Sequence, residues 1–222
     1  MNNNYLDNLT KALMDKADPE KAKEQKKYMR NKFEFFGIQA KPRRKATRKF
    51  MRKENRPTYE ELDIVVKKLW KKDEREYQYF GAELVERYKK EFNEDIIKLL
   101  EYMITHKSWW DTVDQIAKKL VGSYFKKFPK KKEVYIKKWI NSDNIWLQRS
   151  CILFQLGYKE DTNVDLLFDI ILRLKDIDEF FIQKAIGWAL RQYARIEPEV
   201  IRTFVKDNEL SSLSKREALK HL

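Results

Sequence analysis

The sequence predicts an all-α protein, an α-solenoid of paired helices, and three observations carry that prediction. Only 5 Gly and 5 Pro punctuate 222 residues, so tight hairpin turns are scarce and the long intervals between them favour helices. No stretch shows the period-2 alternation of a half-buried strand. From Thr58 onward, helix-start signals and apolar columns recur every 35 residues, the sign of helix pairs that stack and bury their apolar faces on one another. Residues 1–222 read as a single helical-repeat domain, with basic N-terminal helices over 1–56 and repeats of about 35 residues over 57–222.

The elements follow in order. A short amphipathic helix spans Tyr5 to Ala17. Asp18 is then a good N-cap and Pro19 suits a first helical turn, which starts a second helix running to about Phe33 with Lys26, Lys27, Tyr28 and Arg30 on it. Gly37 breaks the pattern. Lys41-Pro42-Arg43-Arg44-Lys45 opens a third helix whose charges continue through Arg48, Lys49, Arg52 and Lys53. So one-sided a charge run fits either a solvated face or a phosphate-binding one.

Thr58 with Glu61 forms a capping box ahead of Leu62, Val65 and Leu69, and Asp73 with Glu76 forms another. Sliding the chain by 35 residues carries Asp73 onto Ser108, Asp143 and Asp178, each a favoured N-cap type. Val65, Leu100, Tyr135 and Ile170 make one column of the preceding helices, and Leu69, Ile104, Trp139 and Leu174 another; both read as shared core. Gly122 and Gly157 also stand one period apart. A less regular final unit follows Pro198 and ends in a capping box from Ser214 to Glu217.

The 48 Lys and Arg against 35 Asp and Glu leave a net charge of +13, which points to a polyanion, most simply the phosphates of nucleic acid. Residues 1–56 hold +10 of that excess. The concave face of a solenoid suits an extended ligand, so DNA fits both shape and charge. The lone Cys151 reads as a small core residue in a reducing cytoplasm. No apolar run approaches a bilayer-spanning length. His106, His221 and Cys151 are too few and too scattered for a zinc site, and no Gly-rich phosphate loop or nucleophile elbow is found. The expectation is a cytoplasmic monomer with no cofactor, no metal and no membrane partner.

Counted from each cap, the second, sixth and tenth residues of the second helices share a face. In successive units the stripe reads Arg75, Tyr79, Glu83; Trp110, Asp114, Lys118; Ile145, Arg149, Leu153; and Phe180, Lys184, Trp188. Beside it lie core columns of Tyr77, Leu147 and Ile182, and of Ile116, Cys151 and Ile186. Trp70, Trp109, Trp139 and Trp146 fit the core. Trp110 and Trp188 fit core or groove, since they align with polar residues elsewhere in the stripe. Asp114 and Arg149 fit a structural ion pair between repeats as well as a catalytic role.

Five segments resemble the DNA alkylation repair proteins of the AlkD type, helical-repeat DNA glycosylases: Phe36-Gly37-Ile38-Gln39; His106 to Asp114 around Lys-Ser-Trp-Trp-Asp; Ser142 to Gln155; Glu179 to Trp188; and Leu213 to Ala218. The resemblance covers nearly the whole chain and implies HEAT-like repeats. It implies Trp110, Asp114, Arg149 and Trp188 as catalytic positions, none substituted, with Tyr28 an additional groove residue. Lys27, Arg43, Arg44, Arg48, Lys184, Lys215 and Arg216 complete the expected DNA-binding set. The implied substrate is duplex DNA carrying N3- or N7-alkylated purines, held without a base-flipping pocket. The alternative is a non-catalytic helical-repeat module that binds DNA or a protein.

Overall fold

The computed structural model describes residues 4–222. Among them regular structure is helical, with one isolated parallel bridge between Glu34 and Glu74. The chain groups into two compact units that divide between Phe92 and Asn93.

In the first unit, α1 (Asn4–Met14) buries Leu9 and Leu13. Asp18 caps α2 (Pro19–Tyr28) by accepting from the Lys21 N–H. This helix stops short of the expected Phe33, because Arg30 and Asn31 turn left-handed (φ 54° and 57°) and the Asn31 N–H returns to the Lys26 carbonyl, a helix-ending bond for which Asn is suited. Helix α3 (Ala40–Thr47) tightens into a 3₁₀ turn over Arg48–Met51, so Arg52 and Lys53 lie past its end. The Thr58 N–H donates to Glu61 Oε2 at 3.0 Å as a capping box requires, yet α4 (Leu62–Trp70) starts after Glu61. Helix α5 (Arg75–Glu86) completes the pair.

Glu76 does not serve the cap expected of it. Its buried carboxylate accepts the N–H groups of Phe36, Gly37 and Ile38 at 3.0–3.1 Å, tying α5 to the loop before α3. Burial lifts its pKa above the ordinary range against the downward pull of those bonds. Gly37 is required there. Its φ is +85°, and a Cβ would stand 2.1 Å from the Asp18 carbonyl oxygen. Arg75, expected on the exposed stripe, is fully buried with its guanidinium 3.9 Å from the centre of the Phe33 ring.

The second unit holds α6 (Ile96–Thr105), α7 (Trp110–Ile116), α8 (Gly122–Lys127), α9 (Pro129–Ile140), α10 (Ile145–Leu153), α11 (Val164–Leu174), α12 (Phe180–Tyr193), α13 (Pro198–Asp207) and α14 (Ser212–Ala218). Helices α7 and α8 are continuous through a π-helical stretch, Ala117–Val121. Apolar spacing explains the packing. Leu167, Ile170, Ile171 and Leu174 form one stripe of α11, all buried, each contributing about 1.5–3 kcal/mol by leaving water.

The 35-residue period holds, shifted by one residue from the expected caps. Helices begin at Arg75, Trp110, Ile145 and Phe180 after N-caps Glu74, Trp109, Asn144 and Glu179. Of these caps only Asn144 works through its side chain, accepting from the Trp146 and Leu147 N–H groups. A glutamine does other work: Gln78 donates to the Leu69 and Lys72 carbonyls, and two periods later Gln148 donates to those of Ile140 and Ser142. Both satisfy carbonyls orphaned where the first helix of the pair ends. The expected columns lie in the core, with Leu69, Ile104, Trp139, Leu174, Ile116, Cys151 and Ile186 all essentially inaccessible, except that Tyr135 is only half-buried. The last capping box is also displaced. Ser211 caps α14 through the Ser214 N–H, while Ser214 is buried inside the helix and donates to the Gln183 carbonyl.

Candidate functional site

The centre of the second unit is built by three second helices. Helix α7 carries Trp110 at its first position and Asp114 one turn on, α10 carries Arg149, and α12 carries Lys184 and Trp188. Arg149 joins all three. Its Nε donates to Asp114 Oδ1 at 2.7 Å and its Nη2 to Oδ2 at 2.8 Å, the planar fork that suits a carboxylate. Its Nη1 donates to the Phe181 carbonyl at the start of α12.

The pair is withdrawn from solvent, with side-chain exposures of 4% for Arg149 and 14% for Asp114. Burial raises the Asp114 carboxyl above its ordinary range, and the guanidinium works against that shift. The result is a carboxylate held in one orientation by a cation across the repeat boundary.

An aromatic floor supports it. Trp109 packs edge-on against Phe181 with ring centres 4.9 Å apart and lies 5.7 Å from Trp146, which is itself 5.0 Å from Phe181. Trp70, Trp109 and Trp139 are buried as expected, whereas Trp146 is half-buried, as are Trp110 and Trp188. The backbone after Asp114 is unusual too. The π-helical stretch from Ala117 widens the turn that follows the carboxylate, a feature frequent at functional sites.

Other members of the expected set have particular settings. Tyr28 is 71% exposed at the end of α2, and Lys27, Arg48 and Arg216 are exposed while Lys215 is half-buried. Arg43 is not at the surface. It is buried and bidentate to Glu83 at 3.0 Å on both bonds, with its guanidinium 5.1 Å from the Tyr79 ring centre. Arg44 reaches the same carboxylate at 2.8 Å from a largely exposed side chain. Lys184 is 2.7 Å from Glu217, whose other oxygen meets Arg191 at 2.7 Å. Those two cations hold the Glu217 carboxyl down at about 2.

The Asp114–Arg149 pair was readable because its members stand one repeat apart. Glu217, the Phe181 carbonyl and the π-helical turn were not. Glu217 meets Lys184 across 33 residues, a separation that matches no period, and a backbone acceptor or a π turn has no residue code. Among the described residues no His, Cys, Asp and Glu group is arranged to hold a metal ion, and no helix is long and apolar enough to cross a membrane.

The model of a family described as DNA alkylation repair enzyme matches residues 9–222. A solved structure titled a predicted DNA alkylation repair enzyme, from Enterococcus faecalis, superposes with a TM-score of 0.86 at 33% identity, covering 93% of this chain and 96% of that one. AlkD2 from Streptococcus mutans superposes with a TM-score of 0.60 at 19% identity, covering 75% of this chain and 83% of that one, a likeness of fold alone. No curated protein matches the sequence.

Proposed function

Because the chain belongs to the DNA alkylation repair enzyme family, we propose that it is a monofunctional glycosylase. In this reading it hydrolyses the N-glycosidic bond of N3- and N7-alkylated purines, such as 3-methyladenine and 7-methylguanine, in duplex DNA, without a base-flipping pocket. The observation that carries the reading is the buried, bidentate Asp114–Arg149 pair, one helical turn from half-buried Trp110.

Alkylation at N3 or N7 makes the base a cation. When the C1′–N bond breaks, the electron pair stays with the base, which departs neutral and needs no general acid; the site accordingly relies on no histidine. Positive charge develops instead on the deoxyribose. The faces of Trp110 and Trp188 and the carboxylate of Asp114 stabilise that charge. A water then forms the C1′–O bond, and Asp114 orients it and takes up its proton. Arg149 keeps Asp114 ionised against its burial and fixes its direction. Arg149 is a positioning residue, since its fork is already engaged. Tyr28, Lys27, Arg44, Arg48, Lys215 and Arg216 contact the duplex in this proposal, while Arg43 and Lys184 act mainly through their carboxylate partners.

The experiment is base release from methylated duplex DNA, with free purines separated by chromatography. Release of 7-methylguanine or 3-methyladenine by the wild type, with near loss in Asp114→Asn and retained DNA binding, supports the reading. Binding that weakens with salt but releases no base supports the non-catalytic module instead.

A further inference from the structure

Each cation of the stripe in the second unit has a defined partner except one. Arg149 is bound to Asp114 and the Phe181 carbonyl, and Lys184 to Glu217. Lys118 is exposed and, among the described residues, forms no ion pair or hydrogen bond. It nonetheless has a fixed seat. A Cβ on Gly157, one repeat further on, would lie 3.5 Å from its Cε and 3.8 Å from its Cγ, so its aliphatic stem packs over the bare backbone of that glycine while the ammonium faces water.

Its direction follows from the backbone. Lys118 is four residues after Asp114, and four residues overshoot one 3.6-residue α turn by about 40°. The π-helical stretch over Ala117–Val121 has a wider turn that takes up part of that overshoot, so Lys118 leaves the helix on the face that carries Asp114. The Asp114–Arg149 pair is neutral in sum, and a DNA strand entering the site brings phosphates.

We infer that Lys118 is the phosphate anchor of the site, a lysine on the π-helical turn that grips the DNA backbone beside the nucleotide facing Asp114. This deepens the DNA-binding reading above. One phosphate contact contributes about 0.9 to the slope of log K against log salt, so its loss weakens binding about eightfold at 0.1 M salt.

The test is affinity of the full chain for an undamaged duplex across a salt series. Lys118→Met is expected to lower the slope by about 0.9 with no change in thermal midpoint, and Lys118→Arg to restore it. Lys130→Met, an exposed lysine on α9 in the layer of first helices, is expected to leave the slope unchanged. On methylated duplex, Lys118→Met raises KM and retains kcat. An unchanged slope in Lys118→Met, or an equal fall in Lys130→Met, overturns the assignment. Because undamaged DNA is bound without chemistry, failure of the wild type to release base sinks the glycosylase reading while leaving the slope comparison intact.

Discussion

Replacing Asp114 by Asn keeps the shape of the side chain and removes its charge, so it isolates what the pair with Arg149 contributes. Arg149 is buried and aims two N–H donors at the two carboxylate oxygens. In Asp114→Asn one acceptor becomes an NH₂ group facing a donor, and the guanidinium loses its counter-charge. Removing one partner from a buried pair costs about 3–5 kcal/mol. Since Asp114 retains some exposure, the lower end applies, about 3 kcal/mol, or a fall in Tm of about 6–12 °C at this chain length. Arg149→Met strands the carboxylate instead and costs a similar amount. The double variant removes both charges, so its cost falls short of the sum of the single ones by about 2 kcal/mol, a typical coupling for contacting residues. Urea unfolding followed by far-UV circular dichroism measures all four proteins. Costs that add to within about 0.5 kcal/mol refute the account of a buried, mutually compensating pair. The same numbers set the conditions for the base-release assay, because Asp114→Asn must be assayed well below its lowered Tm before lost activity is assigned to chemistry.

Glu217 predicts an acid-sensitive link between α12 and α14. Lys184 and Arg191 lower its folded pKa from 4.5 to about 2, so its stabilisation is present above the unfolded value and is lost as pH falls from about 4.5 toward about 2. Discounted for the exposure of Lys184, it amounts to about 1–2 kcal/mol; the urea midpoints of wild type and Glu217→Gln should therefore differ at pH 6 and converge near pH 2, and a constant difference contradicts the assignment. The raised Asp114 carboxyl places the acid limb of base release above the ordinary aspartate value of about 3.9, once spontaneous release is subtracted, and Arg149→Lys, which loses the fork, moves it further up; a limb at or below that value counts against Asp114 as the working carboxylate. Gly37→Ala drives a Cβ into the Asp18 carbonyl and imposes a left-handed φ on alanine, costing more than about 2 kcal/mol in urea unfolding, and an unchanged midpoint argues against the loop geometry.

What could be read from the residues was whatever repeats. Helix starts at Arg75, Trp110, Ile145 and Phe180 keep the 35-residue period, and Asp114 and Arg149, one period apart, are joined directly. Stacking identical units places equivalent side chains side by side, so a column in the sequence becomes a contact in space. The all-helical class and the buried columns follow from the same periodicity.

The tertiary structure decided whatever does not repeat. Asp73 and Asp178 looked like caps, yet α5 and α12 start one residue later, after Glu74 and Glu179 without side-chain caps, while Gln78 on α5 and Gln148 on α10 serve the carbonyls that end α4 and α9. Glu76, Arg43 and Glu217 carry charges that composition alone assigns to the surface; each is buried, because a partner 26 to 40 residues away offsets its desolvation. Local sequence sets which groups need partners, and only the folded chain sets which partners arrive.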